Sequence, residues 1–487
     1  MIRAALIIAL FFLQACALTS KQTQDPKKPS VLNVSNCLSF YSSFDEALHE
    51  ENIRDVQASA VEGYPYLQIN RFLASFKSKL ESNEKRGYWL SLLADLNNES
   101  RRIEWKNLRE ERKNYLTNTY FPSQDVYNYL RACSDLLIAG LSAVEKRQVE
   151  MNAEVYDDYS TMSRVFGVYP LTSLVVSHQI NKHQKLTRLA FKKPLAEIPV
   201  KGKLTRYGVS ASKTNLRFEF DRDNPLAIPR LKPEYLALLF QNYAPILEVD
   251  EEDENDQVGR IQLDIEARAQ FSNDQPLMYV LPSYVKFNNK ILLQLNYIFW
   301  FASRPQKSAF DIYSGNLDGL IWRVTLDDNA EPILFDSVHD CGCYHKFYIG
   351  EQVEFKQAIA DQEREPPFVA QHIKIEDLTK QVVIRISSVA HFVERIYFES
   401  EATQDFKAMQ IKPYASLRSL PWNKQRRSMF ASDGLVEGTA RSERWMLWPM
   451  GVPSAGAMRQ WGHHAVAFVG KRYFDDANLL DKYFSTE

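Results

Sequence analysis

Two patterns of apolar residues divide the chain. From residue 36 to about 190, apolar positions recur at spacings of three and four with charges between them, as in "INRFLASFKSKLESN" and "GYWLSLLADLNNESRRIEWKNLREER". That period lays apolar side chains along one face of a helix. "SQDVYNYLRACSDLLIAGLSAVEKRQVE" repeats it, with Ser123 placed as an N-cap. "DEALHEENIRDVQASAVE" carries few strand formers and reads as part of the same unit. A mainly helical domain over 36–190 is the expectation, its charged faces turned to solvent.

From about 195 the pattern changes. "FEFDRD", "GRIQLDIEARAQF", "LMYVLPSYVKF", "KILLQLNYIFWFA", "GLIWRVTL", "PILFDSV" and "KQVVIRISSVAHFVERIYFE" are rich in strand formers, partly alternating and partly continuous. Asn288-Asn289 and Asp327-Asp328-Asn329 punctuate them as turns. A mainly antiparallel β domain over 191–400, sandwich or open barrel, follows from strands at this spacing. Pro233 opens one inserted helix, "PEYLALLFQNY". Residues 401–487, dense in Gly, Trp and Met, are expected to pack back on that sheet. The fold class is therefore α+β, with a helical domain followed by a larger sheet domain.

The chain has 487 residues, 45% of them hydrophobic, enough for two or three packing units. Lys plus Arg is 59 against 61 for Asp plus Glu, so nothing in the charge favours nucleic acid as a partner. The N-terminus is more specific. Arg3 precedes the short apolar run "AALIIALFF" at 4–12, which is too short to span a bilayer, and "LQAC" follows at 13–16. This ending resembles the lipobox of bacterial lipoproteins. The resemblance covers the first sixteen residues only, and Gln14 is a tolerated rather than favoured lipobox residue. It implies that Cys16 is lipidated and becomes the first mature residue, anchored to the membrane by its acyl chains. Ala17, where an Asp commonly retains such proteins at the inner membrane, implies the outer membrane, facing the periplasm. Residues 17–35, with "SKQTQDPKKPS" at their centre, then read as a flexible tether.

Four cysteines remain, an even number in an exported chain. Cys37 and Cys133 both lie in the helical unit and are expected to pair. Cys341 and Cys343 fall in "HDCGCYH", where His339, Cys341, Cys343 and His345 occupy alternate positions. Three readings compete. One is a thiolate and imidazole metal site, suited to zinc or copper. Another is a strained Cys341–Cys343 disulfide. The last is plain strand packing. Alternate residues of a strand are about 6.6 Å apart, so one ion with bonds of about 2.0–2.3 Å cannot take all four from a straight strand. A metal site requires a bend at Gly342 and help from His391, His463 or His464.

Other candidates are weaker. Glu248 to Asp256 holds seven carboxylates in nine residues, without the EF-hand spacing for calcium. Ser454 in "GVPSAG" lacks the glycine two residues earlier that a nucleophile elbow needs. Arg304, Asp311, Asp318 and Arg323 flank long apolar strands. Two functions are carried forward. One is an envelope lipoprotein that binds a ligand or partner. The other is a metal-dependent hydrolase with ligands from His339, Cys341, Cys343, His345, His391, His463 and His464, and Asp340, Asp318 or Glu394 as general base.

Overall fold

A computed structural model describes residues 32–122, 125–210, 219–378, 380–399 and 405–486. The helical pattern becomes the helices Val34–Glu51, Asn83–Asn107, Glu110–Tyr120, Val126–Ala139 and Tyr169–Ala190, with shorter ones between them. Their apolar stripes meet in one core that includes Phe40, Phe44, Trp89, Leu93 and Leu130. Cys37 and Cys133 are joined by a disulfide with Cα atoms 5.4 Å apart, which ties the first of these helices to the fourth. Asn33 caps the first helix, its side-chain oxygen accepting from Asn36 N–H at 2.9 Å.

Cys16 and Ser123 lie outside the described residues. Two local expectations change here. The helix Val126–Ala139 is capped by Asp125, which accepts from the N–H groups of Tyr127 and Asn128. Within the helical unit the strands Ser59–Val61 and Tyr64–Ile69 form a hairpin around Gly63, whose φ is +82°. Gly63 supplies the left-handed turn, and "YPYLQI" supplies the β-branched and aromatic residues that a strand buries.

The second half builds a nine-stranded sheet. Its centre is the run of antiparallel strands Lys290–Arg304, Gly315–Leu326, Pro332–His339 and Lys346–Gly350. Asn288 and Asn289 both take positive φ, +51° and +61°, and close the two-residue hairpin between Leu277–Phe287 and Lys290–Arg304. A five-stranded sheet, which includes Ile246–Glu251 and Gln381–Ile386, faces the large one, and Leu247, Val249 and Ile384 meet Trp322, Phe335 and Tyr348 between them. The two sheets form a sandwich and no closed barrel. The other face of the large sheet is covered by the C-terminal segment, where Met458, Trp461 and Phe474 pack on Trp300, Ile321 and Val338. The strand Lys290–Arg304 is buried without a break from Ile291 to Phe301, because both its faces are covered, and only Gln294 and Asn296 interrupt its apolar run.

The helix Pro233–Asn242 has Pro233 in its first turn, where a missing N–H costs nothing. The helix Tyr169–Ala190 is different in kind. Over its length only Ser173 and Ser177 are buried. It is tied to residues 364–366 by polar bonds. Ser177 Oγ donates to Arg364 O at 2.7 Å, Arg364 Nη1 to Ser173 Oγ at 3.0 Å, and Gln184 Nε2 to Pro366 O at 3.1 Å. Its Leu171, Leu174 and Val175 are exposed. No helix among the described residues is long and apolar enough to cross a membrane.

Candidate functional site

The chain leaves the sheet at His339 and re-enters it at Lys346, where Lys346 pairs with Ser337. Between them lies the turn that a metal site would require. Gly342 N–H donates to His339 O at 2.7 Å and His339 N–H to Cys343 O at 3.0 Å. Gly342 has φ +89°, and a Cβ there would lie 2.5 Å from Ala465 O, so both conformation and space demand glycine.

The turn does not gather the four ligands. Alternation along Pro332–His339 puts His339 on the face of Phe335 and Asp336 on the face of Val338. His339 Nδ1 lies 3.6 Å from Asp318 Oδ1, while His345 Nε2 lies 2.8 Å from Asp336 Oδ2. The two histidines thus engage carboxylates on opposite faces of one sheet. Burial pushes both imidazoles down to about 4, so they are neutral near pH 7.

The three outlying histidines are committed elsewhere. His391 stacks on Phe301 with ring centres 4.0 Å apart. Its Nδ1 is 2.9 Å from Asp318 Oδ2 and its Nε2 3.3 Å from Asp256 Oδ1. Burial opposes protonation there, but the two carboxylates prevail and raise its pKa. His463 lies between Asp158 Oδ1 and Val56 O, each at 2.8 Å, and is raised likewise against burial. His464 Nε2 is 3.6 Å from Asp340 Oδ1. Among the described residues no group of three or more His, Cys, Asp and Glu side chains is placed to hold one ion. The zinc site drawn from His339, Cys341, Cys343, His345, His391 and His463 is therefore not assembled among the described residues: His339 and His391 share Asp318, His345 engages Asp336 and His463 engages Asp158. Cys341 and Cys343 are buried free thiols rather than a disulfide. They bond to each other, and that contact, with burial, raises the Cys343 thiol well above the ordinary range.

The general-base candidates serve the same internal network. Burial disfavours the charge on Asp318, yet Arg441, whose Nη2 donates to it at 3.1 Å, and His339 hold the carboxyl well below its ordinary range. Asp340 Oδ2 accepts from Arg459 N–H at 3.2 Å. Glu394 lies 4.0 Å from Arg385, and burial raises it. In the acidic run Glu248, Asp250 and Asp256 have separate partners. Glu248 accepts from Arg385 at 2.9 Å, Asp250 from the N–H groups of Lys201 and Gly202, and Asp256 from Val389 N–H. Ser454 sits in a turn at φ +45° with its carbonyl accepting from Ala457 N–H and Arg459. Asp311 accepts from the N–H groups of Lys307 and Tyr313, and Arg304 lies over the rings of Tyr313 and Phe392.

The opening stretch nevertheless borders a cavity suited to a ligand. A cavity of about 590 Å³ lies beneath the helix Tyr169–Ala190. Its floor is the turn and strand start from Gly342 to Lys346, and its walls include Val176, Ile180, Phe368, Leu447 and Val466. Val175 and Met446 line it while being 66% and 65% exposed, so they form an apolar mouth. A few ionisable groups interrupt the apolar wall. Burial brings Lys346 down to about 8 and Glu365 up to about 7, and it lowers His183. Size and lining match small-molecule sites, which run to about 300–1,000 Å³ with a few polar groups on an apolar wall.

Lys346 and the helix above it are absent from the candidates read from the sequence. A lysine opening "KFYIG" has the pattern of a strand end in water, yet Lys346 is 4% exposed, beside the rings of Tyr344 and Phe392. The chain matches no protein-family model, no curated protein and no solved structure.

Proposed function

We propose that this chain is a cell-envelope lipoprotein whose folded part binds an apolar small molecule in the cavity beneath the helix Tyr169–Ala190. One observation carries the binding reading: an apolar-walled cavity of about 590 Å³ with an apolar mouth, roofed by a helix that is held mainly through polar bonds. A well-packed core leaves few voids larger than a water molecule. The hydrolase alternative draws no support from a cluster of three or more such side chains among the described residues. The anchor and the outer-membrane address rest on the lipobox resemblance at Cys16.

A neutral naphthylamine dye that fluoresces in apolar surroundings should bind the purified protein at one site. Val176→Trp, which fills the cavity, should weaken binding at least about tenfold, the cost of losing roughly 1.4 kcal/mol. Leu189→Trp, on the same helix but outside the lining, should not. Equal binding by all three proteins excludes the cavity as the site. The anchor is tested separately. Cys16→Ser should leave the membrane fraction or stay unprocessed, and a processed variant that remains in the membrane refutes the lipid.

A further inference from the structure

We infer that the ligand is a single-chain amphiphile with an anionic head, and that Lys346 holds the head. This deepens the binding reading above and rests on it.

Lys346 is 4% exposed and lines the cavity. Among the described residues its ammonium has no hydrogen bond or ion pair. Aromatic rings lie beside it, with Nζ 5.5 Å from the Phe392 ring centre and 6.0 Å from that of Tyr344. The carboxylate that acts on it most, Glu394, faces Arg385 instead. A buried ammonium without an acceptor is costly, so native proteins pair such groups. The missing acceptor here is one a ligand can bring.

The other charged groups of the lining each have a protein partner or a nearby counter-charge, though Arg472 keeps two buried nitrogens without a hydrogen bond. Glu365 accepts from the N–H groups of Phe468 and Val469 at 2.7 and 2.8 Å. Arg472 donates to Glu365 O at 3.0 Å and lies 3.6 Å from Glu363. His345 is on Asp336, and Glu443 stands in the field of Arg441 and Arg304. His183, whose ring centre is 5.5 Å from that of Tyr344, stands at the Lys346 end as a neutral imidazole able to donate one hydrogen bond. One ammonium at one end and an apolar wall leading to the mouth at Val175 and Met446 fit a chain with a single anionic head. A carboxylate and a phosphate monoester share that chemistry.

The test is displacement of the neutral dye by dodecanoate, dodecyl phosphate, dodecanol and dodecylamine. The wild type should prefer dodecanoate or dodecyl phosphate over dodecanol by about tenfold or more, the usual worth of a hydrogen bond to a charged group. It should take dodecylamine worst. The tighter of the two acids names the head. Lys346→Met should bind dodecanol as the wild type does and lose the preference for the acids. A wild type that ranks dodecanol or dodecylamine with the acids overturns the inference even if the variant does not fold, and so does a folded Lys346→Met that keeps the preference. Failure of the dye and all four chains to bind strikes the binding reading itself, not the role of Lys346.

Discussion

Asp336→Ala destabilises the sheet region by about 3–5 kcal/mol, the cost of leaving a buried charge without its partner. Asp336 is 0% exposed and Arg323 1%. Arg323 Nε donates to Asp336 Oδ1 at 2.8 Å and Nη2 to Oδ2 at 2.5 Å, a bidentate pair. Its third donor, Nη1, reaches Phe474 O at 2.6 Å, and its guanidinium lies over the Phe474 ring at 3.7 Å. Removing the carboxylate leaves a guanidinium in the centre of the sheet and deprives His345 of its only hydrogen-bond partner among the described residues. Trp300 and Trp322, fully buried in the same sheet, report the loss as a lower urea midpoint in fluorescence. The double change Arg323→Met with Asp336→Leu should lose less than Asp336→Ala alone, because it removes both charges. A single-variant loss below about 1 kcal/mol, the range of exposed pairs, contradicts the buried network.

The same network fixes a pH dependence. His345 has a folded pKa of about 4 against 6.5 for the free side chain. The unfolded chain takes up the proton first as pH falls. The stability from the neutral ring is thus complete above about 6.5 and withdrawn between there and about 4. His339 acts in the same direction. His391, raised by its two carboxylates, acts oppositely: its contribution is present below 6.5 and fades as pH rises through the higher folded value.

Loss of the Cys37–Cys133 bond has an effect of similar size on the helical unit. The bridge spans 96 residues of sequence, for which loop-closure entropy gives about 4–5 kcal/mol. Both cysteines are fully buried beside Phe40, Tyr41 and Leu130, so replacement by alanine loses the constraint without adding a polar group. The double alanine variant should melt its helical signal far below the wild type, while unreduced peptide mapping of the wild type shows this one linkage and leaves Cys341 and Cys343 alkylatable after denaturation. A variant that melts with the wild type, or a linkage through Cys341 or Cys343, contradicts this arrangement.

Much of the architecture was legible because it follows from period and turn chemistry. The three- and four-residue spacing around Trp89 and Leu93 fixes a helix, Asn288-Asn289 a hairpin, Pro233 a helix start, and the largely apolar run from Ile291 to Phe301 a strand buried on both faces. The hairpin at Ser59–Ile69 was hidden by its polar flank, since Gly63 alone marks the turn. The reading of "HDCGCYH" as a metal site failed for a stated reason. Alternation holds only within a strand, and this segment leaves one strand at His339 and starts the next at Lys346. Each imidazole then meets a carboxylate outside the motif's alternation: Asp318 for His339 and His391, Asp336 for His345, Asp158 for His463 and Asp340 for His464. Lys346 was illegible for the same reason. Its burial involves Phe392, 46 residues later, and no local pattern records that packing.

The most direct measurement is photo-crosslinking of the purified protein with an alkyl chain bearing a terminal carboxylate and a diazirine, followed by peptide mapping. The binding reading predicts labels on the lining of the cavity, in 172–187, 342–346, 443–449 and 465–468, competed by unlabelled dodecanoate and lost in Val176→Trp. Labels confined to other surfaces, or spread over the chain without competition, contradict it.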